Sequence, residues 1–221
     1  MTLLGLDTST PASAACVLRA DGESFEVAPE PARLGAGPAH ARELMPAIAD
    51  VMGRAGVDFG ELEAIAVGVG PGTFTGLRIG IATARALAGA SGLELRPVSS
   101  LGALAEGIDG ELRLPLIDAR RGELFAGLYD RDGAVWERFV AAPEEVAERA
   151  RAAGPGVRAA GDGSIRFRRV FEAAGIGVDA DESGSHVVRA LHVCRLARNV
   201  PGEPPEKVLP DYLRAPDAQI P

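Results

Sequence analysis

Lysine is nearly missing from this chain: among 23 basic residues only Lys207 is a lysine, and the rest are arginines. That excludes a P-loop lysine or a Schiff-base lysine anywhere before the C-terminal tail. Cysteine and histidine are scarce too, at two and three copies. Cys16 and Cys194 sit inside the apolar segments AACVL and HVCRLA, with no Cys-x-x-Cys pair. This suits reduced core thiols rather than a disulfide or a zinc site, and implies a cytoplasmic address. No window approaches the roughly 18 apolar residues that a membrane-spanning helix needs. The N-terminus, MTLLGLDTST, carries no basic leader, so neither secretion nor membrane insertion is expected. Runs of five like charges are also missing, and the net charge is −8. The protein as a whole therefore does not look like a binder of nucleic acid or of anionic membranes, although a local basic patch remains open.

What is present is an ordinary globular composition. The 221 residues are 47% hydrophobic and 24% charged, with a mean hydropathy of +0.09. That length fits one large domain or two small ones. The opening LLGLD closes at Asp7, turns through TSTP, resumes as SAACVLR, stops at Asp21-Gly22 and continues as SFEV. It reads as strand, tight turn, strand, hairpin turn, strand. Later, LRLPLID closes at Asp118, turns at ARRG, continues as ELFAGLY, stops at Asp132-Gly133 and resumes as AVWERFV. Asp7 to Asp21 and Asp118 to Asp132 are both 14 positions, with a common offset of 111. The spacing predicts two related halves, although common hairpin chemistry could also produce it.

Within the first half, Leu44, Ile48, Val51, Met52 and Ala55 form a helical stripe that ends at the capping Gly56, with Pro46 inside it. LEAIAVGVG follows as a buried strand, GPGTFTG as a loop and LRIGIATARALAGASG as a second helix. The half reads β-β-β-α-β-α. The second half adds a helix opened by Pro143, a strand at VRAAGDG and helical stretches at IRFRRVFEAAG and HVVRALHVCRLARN. A Pro-rich tail is expected to be extended. The division falls near residues 98–110, giving 1–105 and 106–221.

A β-β-β-α-β-α unit used twice is the plan of the actin, sugar-kinase and Hsp70 superfamily, in which the first turn of each half holds phosphate or metal. Asp7 and Asp118 occupy those turns, but DTSTPA and DARRGE lack the paired glycines that let a backbone approach a phosphate. GVGPGTFTGLRIG is neither GxGxxG nor a Walker A motif, since Leu77 stands where the lysine would be. Read by itself, the segment fits an anion-binding helix N-terminus or a purely structural turn.

As a string it is more specific. GPGTFTGLRIGIATARALA, with LGLDTST, His40, the LMPAI helix and PDYLR in the tail, resembles the bacterial TsaB family, formerly YeaZ. The resemblance covers residues 1–105 closely and LIDARRGELFAGLY, AAGDG and the tail more loosely. It implies an α/β fold of the duplicated, two-lobed, actin-like (ribonuclease H-like) kind. It also implies a part in making N6-threonylcarbamoyladenosine in tRNA, as a non-catalytic partner of a TsaD-like transferase. A TsaE-like ATPase acts on the pair, and tRNA is met only through the complex. A homodimer is the other association the resemblance allows.

TsaD-like proteins carry an HxxxH metal pair on the first helix, where this chain has His40-Ala41-Arg42-Glu43-Leu44. With one imidazole replaced by Leu44, no catalytic residue, metal or cofactor is expected. His186 and His192 are six apart, on different faces of any helix, and do not replace the pair. Asp7, Thr8, Gly70, Gly72 and Asp118 would be remnants of a phosphate loop. The partner-facing set placed from the resemblance is His40, Leu44, Ile48, Val51 and Met52, with Leu77, Ile81, Arg85 and Ala88. The same stripes could face their own sheet, which would make part of the set core. Two other readings are an actin-like enzyme, phosphotransferase or metallopeptidase, and direct tRNA binding through Arg120, Arg121, Arg166, Arg168 and Arg169.

Overall fold

The computed structural model describes residues 1–37 and 39–214. Its first sheet is built from β1 (Leu3–Asp7), β2 (Ala14–Leu18), β3 (Ser24–Val27), β4 (Ala64–Gly70) and β5 (Leu95–Ser99), in the order β3-β2-β1-β4-β5. The second uses β6 (Leu112–Arg120), β7 (Glu123–Ala126), β8 (Phe139–Ala141), β9 (Val157–Ala160) and β10 (Gly177–Val178), in the order β10-β9-β6-β7-β8. Reversed, the second order is the first with every strand advanced by five. In each sheet the first three strands are antiparallel, and the fourth lies parallel beside the first. The duplication expected from the paired Asp spacing is thus present in the topology, with Asp7 closing β1 and Asp118 near the end of β6.

Helices α1 (His40–Ala55) and α2 (Phe74–Ser91) cover one face of the first sheet, packing Leu44, Ile48, Val51, Leu77 and Ile81 on Leu4, Leu6, Val17, Ile65 and Val67. The first ends at Gly56, as the sequence predicts, and the second at Gly92; they take φ of 63° and 68°, left-handed values that cost a residue without Cβ little. Pro46 lies within α1 and leaves the Arg42 carbonyl without its helical donor, yet the helix runs through it.

The other face of that sheet carries α3 (Ser100–Ala105) and α7 (Ala190–Ala197), whose Leu101, Leu104, Leu191, Val193 and Cys194 also meet Ile117 and Phe125 of the second sheet. This shared apolar layer joins the lobes. It is tight enough that a Cβ on Gly5 would stand 2.4 Å from the Cys194 sulfur. Helix α7 lies in the second half of the sequence but packs on the first sheet. The far face of the second sheet is covered by α4 (Pro143–Ala152) and α6 (Arg168–Ala173), through Val146, Ala150 and Phe171. Short α5 (Asp162–Arg166) precedes α6.

Several expectations need correction. The helix expected over IRFRRVFEAAG is two helices, broken at Phe167, where φ is −112°. The one expected over HVVRALHVCRLARN shrinks to eight residues. Strand β5 and helix α3 were not foreseen, because Arg96 and Pro97 interrupt the apolar pattern; Pro97 is tolerated because β5 is an edge strand. The tail crosses β5 at Glu203, lies along α2 and reaches β4, where the Asp211 N–H meets the Val69 carbonyl at 2.8 Å. No helix among the described residues is long and apolar enough to cross a membrane.

Candidate functional site

The turn after β1 and the Gly-rich loop after β4 close on each other. Asp7 is buried and accepts from the Ser9 N–H at 2.8 Å, the Ser9 hydroxyl at 2.6 Å and the Ser100 hydroxyl at 2.8 Å. Burial raises its pKa, and the Ser9 and Ser100 hydrogen bonds oppose that rise. The Thr8 hydroxyl donates to the Gly76 carbonyl at 2.7 Å, and the Thr73 N–H at the start of α2 donates to the Ser9 carbonyl at 2.8 Å. The glycines are explained by this contact. A Cβ would stand 1.8 Å from Asp7 Oδ2 at Gly68, 2.4 Å from the Ser9 carbonyl oxygen at Gly72, 2.0 Å from the Thr8 carbonyl oxygen at Gly76 and 2.3 Å from Thr8 Oγ1 at Gly80. The space beside the loop is filled by the chain's own backbone. Of the two readings left open above, the contacts fit the structural turn. They bring Asp7, Thr8, Gly70 and Gly72 into one region and leave Asp118 in the other lobe.

Asp118 has a different setting. Its carboxylate accepts from the Arg120 N–H at 2.9 Å and pairs with the Arg120 and Arg166 guanidinium groups at 3.2 and 2.6 Å. Arg120 and Arg121 both take left-handed φ, 64° and 55°. The Asp118 N–H in turn donates to Asp162 at 2.9 Å. Burial, reinforced by the Asp118 charge, pushes the Asp162 pKa up to about 6. These groups line a cleft of about 770 Å³ whose opposite wall is Glu30, Leu34 and Gly35 from the first lobe. Asp162 was not singled out in the sequence. Its position just past the carboxyl end of β9, where open α/β sheets place ligand groups, was the available signal.

The histidines are structural neighbours of backbone and hydroxyl groups. His40 Nδ1 is 2.8 Å from the Ser13 hydroxyl, with burial lowering its pKa, and Leu44 one turn on is core. His186 accepts the Gly161 N–H at Nδ1, 3.0 Å, which leaves Nε2–H to donate to the Ala180 carbonyl at 3.0 Å. His192 donates from Nδ1 to the Ala103 carbonyl at 3.1 Å. Of the five arginines considered for RNA, Arg120 and Arg166 are committed to Asp118, and Arg168 pairs with Glu172 and Asp181.

The partner-facing set requires a correction. Leu44, Ile48, Val51, Met52, Leu77, Ile81 and Ala88 are buried in the chain's own core, and His40 is buried as well. Only Arg85 of the nine is partly exposed. An amphipathic helix must first cover its own sheet, and here the strongest apolar stripes are used that way. The outward faces instead carry Ala41, Met45, Ala49 and Gly53 on α1, with Phe74, Arg78, Ala82 and Ala86 on α2. Met45 and Phe74 are 50% and 40% exposed. Small residues at four-residue spacing, mixed with exposed large apolar groups, were the missed signal.

A family model described as TsaD, tRNA N6-adenosine threonylcarbamoyltransferase, matches residues 27–202. The chain is 35% identical over 161 residues to the tRNA threonylcarbamoyladenosine biosynthesis protein TsaB of Escherichia coli K12, a match covering 67% of this chain and 66% of the relative. It thus spans just under two thirds of that relative's length. The TsaB of Bacillus subtilis 168 is 28% identical over 230 residues, covering 99% of this chain and 96% of the relative. Among solved structures, YeaZ from Pseudomonas aeruginosa is similar with a TM-score of 0.76 at 30% identity, covering 96% of this chain and 100% of that one. The two five-stranded sheets fit the actin-like, two-lobed fold that these proteins share.

Proposed function

This chain belongs to the TsaB (YeaZ) family, and we propose that it is a non-catalytic subunit that binds and activates a TsaD-like threonylcarbamoyltransferase in forming N6-threonylcarbamoyladenosine in tRNA. The work would take place in the cytoplasm, with a TsaE-like ATPase acting on the pair and tRNA bound by the complex. The observation that carries the reading is the turn after β1. In an actin-like transferase this turn would approach a phosphate, but here the Gly-rich loop packs directly on it, with Gly72 against the Ser9 carbonyl, Gly76 against the Thr8 carbonyl and Gly68 against buried Asp7. The name shared by the E. coli and B. subtilis relatives supports the pathway.

The contact surface in this reading is the outward face of α1 and α2, around Met45, Ala49 and Ala82. Flat faces of small residues let two helix pairs pack closely, and the exposed methionine supplies an adaptable anchor. The test is transfer of threonylcarbamoyl to tRNA by the TsaD-like subunit of the same organism, with and without this chain. Activity should need both proteins, and Met45→Glu should weaken their association while keeping the melting temperature. Full transfer by either protein alone would overturn the proposal.

A further inference from the structure

Beside that face lies a groove built by the tail. Residues 205–212 run along α2 and are pinned at both ends: the Arg85 guanidinium donates to the Glu206 carbonyl at 3.3 Å, and Arg78 Nε donates to the Tyr212 hydroxyl at 3.1 Å. Phe74 stacks on Tyr212 at 5.4 Å and carries the Arg78 guanidinium 3.8 Å from its ring centre. Val208 is buried beneath the strap, whereas Leu209, one residue on, is 65% exposed. Between strap and helix is a groove of about 530 Å³, with Ile81, Ala82, Leu209 and Pro210 on its walls and Arg78 and Arg85 beside them.

The charge there is unbalanced. Among the described residues neither Arg78 nor Arg85 pairs with a carboxylate, although Arg33, Arg54, Arg138, Arg158 and Arg189 all do. Among the described residues Arg78 is hydrogen-bonded only through Nε and Arg85 only through one terminal nitrogen, so both keep donors for an incoming oxygen anion. Two uncompensated cations flanking an apolar groove, on a chain of net charge −8, fit a partner of opposite sign. The two arginines are seven residues apart on one helix, about 10 Å along its axis.

We propose that this groove receives a segment of the partner subunit that presents carboxylates about two helical turns apart around one apolar anchor. The proposal rests on the reading above, since the groove continues the α2 surface on which that reading places the subunit. The arginines would set register and association rate through charge-assisted hydrogen bonds, and Leu209 would cover the anchor.

The test is calorimetric titration of this chain with the TsaD-like subunit of the same organism, at about 50 and about 300 mM salt. Arg78→Glu with Arg85→Glu should weaken binding by about thirtyfold or more at low salt, and the native affinity should fall as salt rises. Because Arg78 and Arg85 both help hold the strap, two milder variants isolate the groove. Leu209→Glu alters only an exposed side chain and should weaken binding about tenfold with an unchanged melting temperature. Arg85→Lys, which keeps the charge, should bind nearly as the native chain does. Native affinity in Leu209→Glu and Arg85→Glu, both folded, would overturn the groove. If Met45→Glu still abolishes binding in that case, the wider reading stands. Complete failure of the native chain to bind would overturn both.

Discussion

The two aspartates that close equivalent strands have taken opposite courses. Asp7 is sealed under the Gly-rich loop and held by three uncharged donors, whereas Asp118 faces the cleft between the lobes and carries two arginines. The difference lies in the neighbours of each turn. After β1 the chain continues as Thr-Ser-Thr, short side chains that satisfy a buried carboxylate locally, and glycines opposite let α2 close down on it. After Asp118 it continues through Ala119 to Arg120 and Arg121 in left-handed conformations, long side chains that need room and water. A duplicated fold can thus convert one of its two strand-end sites into core and leave the other, itself buried, at the floor of a cleft with half-exposed arginine partners.

The largest effect that would test this contrast comes from the glycines. Gly76→Ala would put a methyl 2.0 Å from the Thr8 carbonyl oxygen, a backbone atom that cannot turn aside. It should cost more than about 3 kcal/mol or prevent folding. Gly122→Ala, in the matching turn of the second lobe, meets nothing within 4 Å and is strained only by its φ of 81°. It should cost about 1 kcal/mol. Chemical denaturation of the two variants gives the comparison, and equal costs would mean that the first turn is not closed as described.

Next come the carboxylates themselves. Asp7→Ala strips the acceptor from one N–H and two hydroxyls in a dry site and should cost about 3 kcal/mol. Asp118→Ala releases guanidinium groups that are about half exposed, 56% and 48%, and so can be solvated. Its cost should stay near about 1 kcal/mol. Denaturant midpoints reversed in rank would show that the uncharged donors around Asp7 hold the chain less firmly than the half-exposed arginines around Asp118.

Asp162 gives the cleft a pH signature. Its pKa in the folded protein, about 6, lies above the ordinary 3.8, so the folded state holds this proton more tightly than the unfolded one. The stability it contributes is full below about pH 4 and is lost as the pH rises through about 6. Asp162→Asn keeps an oxygen to accept the Asp118 N–H but has no proton to lose. Relative to the native chain it should gain about 2–3 kcal/mol between pH 4 and pH 7. Parallel denaturation curves at both pH values would refute the assignment.

How much of this was legible in the sequence depends on whether the signal was local. The paired Asp spacing, the glycine cap at Gly56 and the apolar stripes are local, and they disclosed the duplicated α/β plan and the helices over the first sheet. The return of α7 to the first sheet is not local, nor is the strap that the tail lays on α2. Both depend on pairings more than a hundred residues apart, such as Arg78 with Tyr212. The candidate surface was misread for a related reason. Hydrophobicity marks what is buried, so reading apolar stripes found core residues such as Ile81, while Met45, Phe74 and Leu209 stand out only once exposure is known.

The smallest expected effect is also the most specific to the open turn. Arg120 holds a left-handed φ of 64°, a conformation that costs a residue with Cβ but not glycine, and its guanidinium is 3.2 Å from Asp118. Arg120→Ala loses the ion pair and keeps the strain, whereas Arg120→Gly loses the pair and removes the strain. The Arg120 end of the pair is 56% exposed and Asp118, though buried, keeps Arg166, so losing the pair should cost about 1 kcal/mol, and the left-handed penalty is about 1 kcal/mol. Arg120→Gly should therefore be as stable as the native chain within about 0.5 kcal/mol, and more stable than Arg120→Ala by about 1 kcal/mol. At ordinary solvent-facing positions glycine is the more destabilising of the two, so the order itself is diagnostic. Thermal unfolding of the pair with alanine on top would show that the turn after β6 relaxes out of the left-handed conformation, and that Asp118 is held by Arg166 alone.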